Sequence, residues 1–164
     1  MQGEIRVNGA AVSVSFAPEA PLLDVLRAAG FVEVKEGCRE AACGSCLVLL
    51  DGRLVNSCQV LAATALGREV TTVKGLGTLR RPHPIQEAFV EAGAVQCGFC
   101  TPGMVLATHA LLAADPDPDE AAIRRGLDGN LCRCTGYAKI LEAVRLAARR
   151  MASPRAAGKK AGHG

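Results

Sequence analysis

The sequence contains few aromatic residues and no long apolar run. Trp is absent, Tyr occurs once and aromatic residues make up 3% of the 164 residues, so a core has to be built mainly from Ala, Val and Leu. Such a core gains from additional covalent or metal links. No apolar run approaches the ~20 residues that a transmembrane helix needs, and the N-terminal segment MQGEIRVNG lacks the features of a secretion signal. These absences predict a chain without a membrane span and with a cytoplasmic location.

The body of the chain also lacks an excess of charge. The net charge is +3, and Arg155, Lys159 and Lys160 account for it. The other 16 basic residues, 19 less those three, balance the 16 acidic ones. A nucleic-acid-binding protein would show a basic face, so we predict no nucleic-acid partner. The tail at residues 153–164 is rich in Ala, Gly and Lys and is predicted to be disordered and basic.

Recognisable catalytic patterns are absent as well. The sequence contains no Ser-His-Asp order, Walker phosphate loop or GxGxxG fingerprint. His83, His109 and His163 show no spacing that suits a shared metal ion. We therefore predict no residue for acid–base or nucleophilic catalysis on this chain.

The first half of the sequence has the alternation of apolar and polar residues that is typical of strands. Asn-Gly at 8–9 and Asp-Gly at 51–52 each separate two such segments, and these dipeptides favour two-residue hairpin turns. The apolar segment at 22–26 suits a short helix, and 69–73 suits a last strand. Two hairpins and one helix predict a small α+β domain over residues 1–76.

The second half has apolar residues at helical spacing. Asp117 is predicted to cap the third of these helices, because Glu120 completes a capping-box pattern with it. We predict a four-helix bundle over residues 77–152, with helices near 84–92, 102–113, 118–127 and 136–150.

Cysteine is abundant, with eight residues. In the cytoplasm, clustered cysteines bind metal more often than they form disulfides. The first cysteine set has the C-x₄-C-x₂-C run with a later fourth Cys that is typical of plant-type [2Fe–2S] ferredoxins. Structural zinc fits this set less well, because it favours paired C-x₂-C knuckles. The first set consists of Cys38, Cys43, Cys46 and Cys58.

The second cysteine set is made of two close pairs, Cys97 with Cys100 and Cys132 with Cys134. Taken alone, its C-x₂-C pair also suits a zinc knuckle or a redox dithiol. Both pairs come directly before predicted helix starts, and a helix N-terminus favours a bound anion. A [2Fe–2S] centre on four thiolates is an anion, so this placement favours an iron–sulfur cluster.

Two other functions stay open on the residues alone. A structural or regulatory zinc protein would use the cysteines as knuckles, and it would be colourless. A free-standing ferredoxin-like carrier would have no fixed partner, and it would be purified as a monomer that still exchanges electrons with a reductase.

The motifs GCREAACGSC, NSC, QCGFCTPGM and NLCRCTGY resemble those of the small iron–sulfur subunit of the molybdenum hydroxylases. That family includes xanthine dehydrogenase, aldehyde oxidoreductase and aerobic carbon monoxide dehydrogenase. The resemblance covers about residues 3–150 and includes both cysteine sets. Ala41 departs from the pattern, since many relatives have Gly there, and Ala costs little at that position unless its φ is positive.

The resemblance implies a ferredoxin-like β-grasp domain followed by a four-helix bundle. It implies an electron-transfer subunit with two [2Fe–2S] clusters, the second set nearer to a molybdopterin centre in a large subunit and the first set nearer to FAD in a medium subunit. Gln96 and Cys134 match positions that contact the molybdopterin, which is expected in its cytosine dinucleotide form. The implied assembly is a heterotrimer or a dimer of heterotrimers, and substrate chemistry takes place in the large subunit.

Overall fold

The structure is a computed structural model that describes residues 1–152 and has an α+β fold. The predicted disordered tail at 153–164 lies outside the described residues. The strands are β1 (Gln2–Val7), β2 (Ala10–Ser15), β3 (Leu47–Leu50), β4 (Arg53–Asn56) and β5 (Glu69–Thr71). The helices are α1 (Leu22–Ala28), α2 (Val73–Leu76), α3 (Pro84–Glu91), α4 (Thr101–Ala114), α5 (Glu120–Leu127) and α6 (Ala138–Ala152).

The five strands form one mixed sheet in the order β2-β1-β5-β3-β4. β1–β2 and β3–β4 are antiparallel hairpins, and β5 joins them by pairing parallel to β1 and antiparallel to β3. Asn8, Gly9, Asp51 and Gly52 all have positive φ, which is the conformation that a type I′ hairpin turn requires. The two hairpins predicted from these dipeptides are confirmed.

The first hydrophobic core lies between this sheet and α1. Leu22, Leu23 and Leu26 are at most 2% exposed and pack with Ile5 and Val70. Full burial of each such aliphatic side chain contributes about 1.5–3 kcal/mol. This core fixes the two ends of the loop that carries most of the first cysteine set, because that loop runs from α1 to β3.

The second core is formed by the helices. α3 packs against α6 through Phe89, Ile140 and Val144, which are at most 1% exposed. α4 contacts α3, α5 and the β3–β4 hairpin, so it lies between the helices and the sheet. Its sequence is accordingly apolar on most sides. Within residues 1–152, no helix combines the length and the apolar character needed to cross a membrane.

The largest differences from the predicted helix starts are at α5 and α6, each of which begins two residues later. Asp119, not Asp117, caps α5, because its carboxylate accepts the Ala122 N–H at 2.7 Å. The Asp117 N–H instead donates to the Asp115 carboxylate at 3.2 Å, so the chain is still turning there. α6 begins at residue 138, two residues later than predicted.

Two cysteine sets as candidate metal centres

The first cysteine set is held mainly by the loop between α1 and β3. Cys38, Cys43 and Cys46 lie in this loop, and Cys58 lies on a 3₁₀ turn that follows β4. A Cβ atom on Gly37 would lie 2.7 Å from the Cys43 sulfur. The loop is therefore wound so tightly around its sulfurs that this position has no room for a side chain.

The backbone of this loop adopts several strained conformations. Arg39 and Ala41 have φ of 61°, and Gly44 has φ of 67°. A non-glycine residue in this region costs about 1 kcal/mol or more. The positive φ at Ala41 is the case in which Ala does carry a cost, so Ala41 adds strain to the loop.

Several donors point at the sulfurs of the first set. The Cys38 N–H donates to the Cys43 sulfur at 3.4 Å, and the Glu40 N–H donates to the Cys38 sulfur at 3.3 Å. The Ser45 hydroxyl lies 3.2 Å from the Cys43 sulfur. Such donors stabilise negative charge on sulfur.

The thiols of the first set differ in acidity. Burial opposes ionisation of Cys43, but hydrogen bonds from the Ser45 hydroxyl and from the Ser45 and Cys38 amides outweigh it and lower the Cys43 pKa to about 7. Burial raises the pKa of Cys46 to about 11, and the adjacent Cys58 thiol adds to this increase. Cys46 therefore needs a bound metal to become a thiolate at neutral pH.

The second cysteine set joins two segments that are far apart in sequence. Cys97 and Cys100 precede α4, while Cys132 and Cys134 lie in the loop before α6. The Cys97 and Cys134 sulfurs are 3.6 Å apart and exposed. Cys100 and Cys132 are half-buried. The second set consequently has an outer edge at the surface and an inner edge facing the protein.

Thr135 supplies the donors of the second set. Its N–H and its hydroxyl donate to the Cys132 sulfur at 3.4 and 3.1 Å. Burial opposes ionisation, but these two hydrogen bonds outweigh it and lower the Cys132 pKa to about 7. Burial raises the pKa of Cys100 to about 12, with a further contribution from Cys132. The Phe99 amide and the Cys134 thiol lower the pKa of Cys97.

Helix N-termini add to the electrostatics of the second set. Cys100 is the residue directly before α4, a helix of 14 residues whose first-turn N–H groups carry partial positive charge. Three residues, Thr135, Gly136 and Tyr137, separate Cys134 from the start of α6. Only the first of the two pairs thus adjoins its helix directly.

The donor chemistry of each set, four thiols with N–H or hydroxyl donors beside their sulfurs, fits the needs of a [2Fe–2S] cluster. All eight cysteines are free thiols. Within residues 1–152, no three His, Cys, Asp or Glu side chains converge closely enough to hold one metal ion. A [2Fe–2S] cluster divides its four thiolates between two irons, and N–H donors stabilise the charge on its sulfurs.

Gln96, the other residue singled out from the sequence, is exposed directly before Cys97. It therefore lies beside the outer edge of the second set. The sequence reasoning missed the hydroxyl donors Ser45 and Thr135. Each lies within three residues of the cysteine that it contacts, so a search for Ser or Thr next to the ligand motifs would have found them.

Comparison with known families assigns the chain to two adjacent cluster-binding modules. Residues 5–71 match a family described as a 2Fe-2S iron-sulfur cluster binding domain. Residues 72–145 match a family described as a [2Fe-2S] binding domain. The first match contains the whole first set, and the second contains the whole second set.

The chain is similar to whole subunits of characterised enzymes. It is 47% identical to the nicotinate dehydrogenase small FeS subunit of Eubacterium barkeri over 91% of this chain and 96% of that one. It is 45% identical to the xanthine dehydrogenase iron-sulfur-binding subunit of Escherichia coli O157:H7 over 86% and 90%. A chain in the solved structure of quinoline 2-oxidoreductase from Pseudomonas putida 86 superimposes with a TM-score of 0.86 at 38% identity, covering 92% of this chain and 96% of that chain.

Proposed function

The chain belongs to the family of small iron–sulfur subunits of the molybdenum hydroxylases, and we propose that its two cysteine sets are the ligands of its two clusters. It is an electron-transfer subunit of such an oxidoreductase and carries two [2Fe–2S] clusters. In this proposal the first set, Cys38, Cys43, Cys46 and Cys58, holds one cluster. The second set, Cys97, Cys100, Cys132 and Cys134, holds the other.

The observation that supports this assignment best is the difference in exposure between the cysteines of the second set. Cys97 and Cys134 are exposed at its outer edge, whereas Cys132 is half-buried and follows Leu131, whose N–H donates to the Cys43 carbonyl of the first set. Each bound cluster supplies one-electron oxidation and reduction. Electrons would enter at the outer edge from the molybdopterin, which Gln96 and Cys134 contact, and would leave through the first set toward FAD or an external acceptor.

The residues of this chain have three tasks in that transfer. Ser45, Thr135 and the loop amides stabilise negative charge on the sulfurs by hydrogen bonding. Cys46 and Cys58 are at most 9% exposed, so the inner part of the first set is shielded from water. The burial of these thiols also limits contact with oxidants.

Exposed apolar residues around the second set support a fixed partner. Phe99 is 47% exposed and Leu131 is 59% exposed, and both lie within one residue of a second-set cysteine. Exposed apolar side chains that cluster at a functional site are typical of protein interfaces. The proposed partners are a large molybdopterin-binding subunit, with the cytosine dinucleotide form of the cofactor, and a medium FAD-binding subunit.

The finer organisation of the chain belongs to the same proposal. We assign residues 1–76 to a β-grasp ferredoxin-like domain and residues 77–152 to a four-helix bundle, which the contacts among α3, α4, α5 and α6 support. The complete enzyme is a heterotrimer or a dimer of heterotrimers. Its cytoplasmic location is supported by the eight free cysteines.

The test is to purify the native complex and to quantify iron, sulfide and zinc together with the co-purifying subunits. About four iron and four sulfide per chain, with a large and a medium subunit bound, are expected. A colourless chain with zinc would contradict the cluster assignment. A monomeric brown chain that exchanges electrons with a reductase would instead favour the free-standing carrier.

A further inference from the structure

The two cysteine sets are linked by a hydrogen bond between their backbones. The Leu131 N–H donates to the Cys43 carbonyl at 2.9 Å. Cys43 belongs to the first set, and Leu131 is the direct neighbour of Cys132 in the second set. A continuous path of covalent bonds and this one hydrogen bond therefore joins the Cys132 sulfur to the Cys43 sulfur.

The backbones can approach this closely because two glycines lie at the contact. A Cβ atom on Gly103 would lie 2.2 Å from the Gly44 carbonyl oxygen. A Cβ atom on Gly44 would lie 2.6 Å from both the Gly129 carbonyl oxygen and the Asn130 side-chain oxygen. The start of α4, the first-set loop and the loop before α6 thus meet with no space for another atom.

The Tyr137 hydroxyl holds the second-set side of this contact. It donates to the Asn130 carbonyl at 3.4 Å and accepts the Cys132 N–H at 2.8 Å. The Asn130 carbonyl and the Leu131 N–H belong to one planar peptide group. The hydroxyl therefore bonds one end of the peptide whose other end bonds Cys43, and hydrogen bonds in such a chain polarise one another.

The backbone at Tyr137 is strained to make these contacts. Its φ is 69°, a conformation that is unfavourable for an aromatic residue. The Tyr137 N–H is held by the Thr135 hydroxyl oxygen at 3.3 Å. Strained residues of this kind persist where the surrounding structure over-determines them, which is common at functional sites.

We propose that the Tyr137 hydroxyl is a positioning group for electron transfer between the two clusters, because it fixes the peptide that bridges Cys132 and Cys43. This role rests on the cluster assignment given above. One electron that reaches the Cys132 sulfur passes through the Leu131 N–H and the Cys43 carbonyl to the Cys43 sulfur. The molybdenum subunit supplies that electron, and no bond is broken and no proton moves.

The test is Tyr137→Phe in the complete enzyme, which keeps the ring and removes both hydroxyl hydrogen bonds. We expect the variant to retain both clusters, as judged by iron content and by both electron paramagnetic resonance signals. Freeze-quench experiments with substrate should then show reduction of the second-set cluster at the normal rate and a severalfold slower appearance of the reduced first-set cluster. The magnetic coupling between the two reduced clusters should change as well.

Thr108→Val is the matched control. The Thr108 hydroxyl is fully buried and donates to the Met104 carbonyl at 2.8 Å, so its loss costs a similar hydrogen bond in the same helical half without contacting the bridge. This variant should leave the transfer rate between the clusters unchanged. If Tyr137→Phe lowers that rate no more than Thr108→Val does, the positioning role is wrong.

A second variant keeps the inference testable if Tyr137→Phe does not assemble. Gly103→Ala leaves Tyr137 in place but forces the start of α4 away from Gly44, so it should also slow transfer between the clusters. Normal transfer in an assembled Gly103→Ala enzyme would contradict the bridge. A wild-type chain without two clusters would overturn the cluster assignment itself, so the two failures are distinguishable.

Discussion

The first cysteine set draws three of its four thiols from one loop, whereas the second set brings together two pairs from distant segments. In the first set, positive φ angles at Arg39, Ala41 and Gly44 wrap the backbone around the sulfurs. In the second set, the starts of two helices are brought together by the packing of α3, α4, α5 and α6. The first set is therefore specified mainly by local conformation, and the second mainly by tertiary structure.

The two sets nevertheless share one electrostatic arrangement. Each contains a thiol with a pKa of about 7, Cys43 in the first and Cys132 in the second. Each also contains a thiol whose pKa burial raises, Cys46 to about 11 and Cys100 to about 12. These two more acidic thiols belong to residues at the Leu131–Cys43 backbone hydrogen bond, since the Cys43 carbonyl accepts it and Cys132 directly follows Leu131.

The largest effect is expected from removing one ligand of each set. Cys38→Ala should remove the first cluster and Cys134→Ala the second, because each cluster needs all four thiolates. Each variant should lose about half of its iron, retain the electron paramagnetic resonance signal of the other cluster and stop electron flow through the enzyme. Iron analysis, spectroscopy and turnover with an external acceptor measure these outcomes.

The two variants also test whether the sets bind their clusters independently, because the hydrogen bond between Leu131 and Cys43 links the two loops. If either variant lost both clusters, the two sets would not be independent binding sites. Sustained turnover in Cys134→Ala would contradict the proposed path of electrons.

The next largest effect is expected at the contact between the two sets. Gly44→Ala adds a Cβ atom 2.6 Å from two oxygens and has a φ of 67°. Overpacking and backbone strain together should lower the free energy of unfolding by about 2–4 kcal/mol. Thermal unfolding followed by circular dichroism, at a fixed scan rate, measures the change.

Gly52→Ala is the matched control for Gly44→Ala. Gly52 also has a positive φ, 78°, but an added Cβ atom there would have no neighbour within 4 Å. This variant should therefore lose only about 1 kcal/mol of its free energy of unfolding, because backbone strain alone opposes Ala there. Equal losses at Gly44 and Gly52 would mean that the close contact between the sets adds nothing to stability.

The two hairpins could be predicted from the sequence because turn dipeptides are local signals. Ligand spacing is also a local signal, and it is the basis on which the two cysteine sets are proposed. The hairpins at Asn8 and Asp51 follow from dipeptides whose φ angles are restricted. The wrong cap at Asp117 shows the limit of this approach. Asp117 and Asp119 are both acceptable caps, and the choice depends on the turn at Asp115, which the sequence pattern does not determine.

The contact between the sets could not be predicted. The hydrogen bond between Leu131 and Cys43 joins residues far apart in the chain and uses only backbone atoms, so no side-chain pattern marks it. The same holds for the Tyr137 hydroxyl, whose partners are a carbonyl and an N–H group. The positive φ at Ala41 could not be predicted either, because Ala ordinarily avoids that conformation.

A smaller effect is expected from pH through a buried histidine of the helical half. Burial lowers the pKa of His109 below its ordinary value of 6.5, and within residues 1–152 its buried Nδ1 has no hydrogen-bond partner. His83, which caps α3, faces it, with ring centroids 5.7 Å apart. The unfolded chain therefore binds a proton more readily than the folded chain, so stability should fall as pH drops below 6.5.

His109→Phe should remove this pH dependence while keeping a ring in the core. Between about pH 7.5 and pH 5.5, the wild-type melting temperature should fall by no more than about 5 °C through this group, and the variant should show a flatter profile. His83→Asn, which keeps an N-cap acceptor for α3, is the control. If it rather than His109→Phe flattens the profile, the titrating group is wrongly assigned.

The smallest effect is expected from the hydroxyl donors, and it compares the two sets directly. Ser45→Ala removes the hydroxyl beside the Cys43 sulfur, and Thr135→Val removes the one beside Cys132. Hydrogen bonds to sulfur stabilise the more negative, reduced form, so each loss should lower one reduction potential, by at most about 40 mV for a bond worth about 1 kcal/mol. Redox titration followed by electron paramagnetic resonance resolves the two clusters separately.

Because Thr135 also holds the Tyr137 N–H, Thr135→Val should in addition slow transfer between the clusters, whereas Ser45→Ala should change only the potential of its own cluster. A potential shift in the opposite cluster would show that the two sets are electronically coupled more strongly than their separate ligand shells allow.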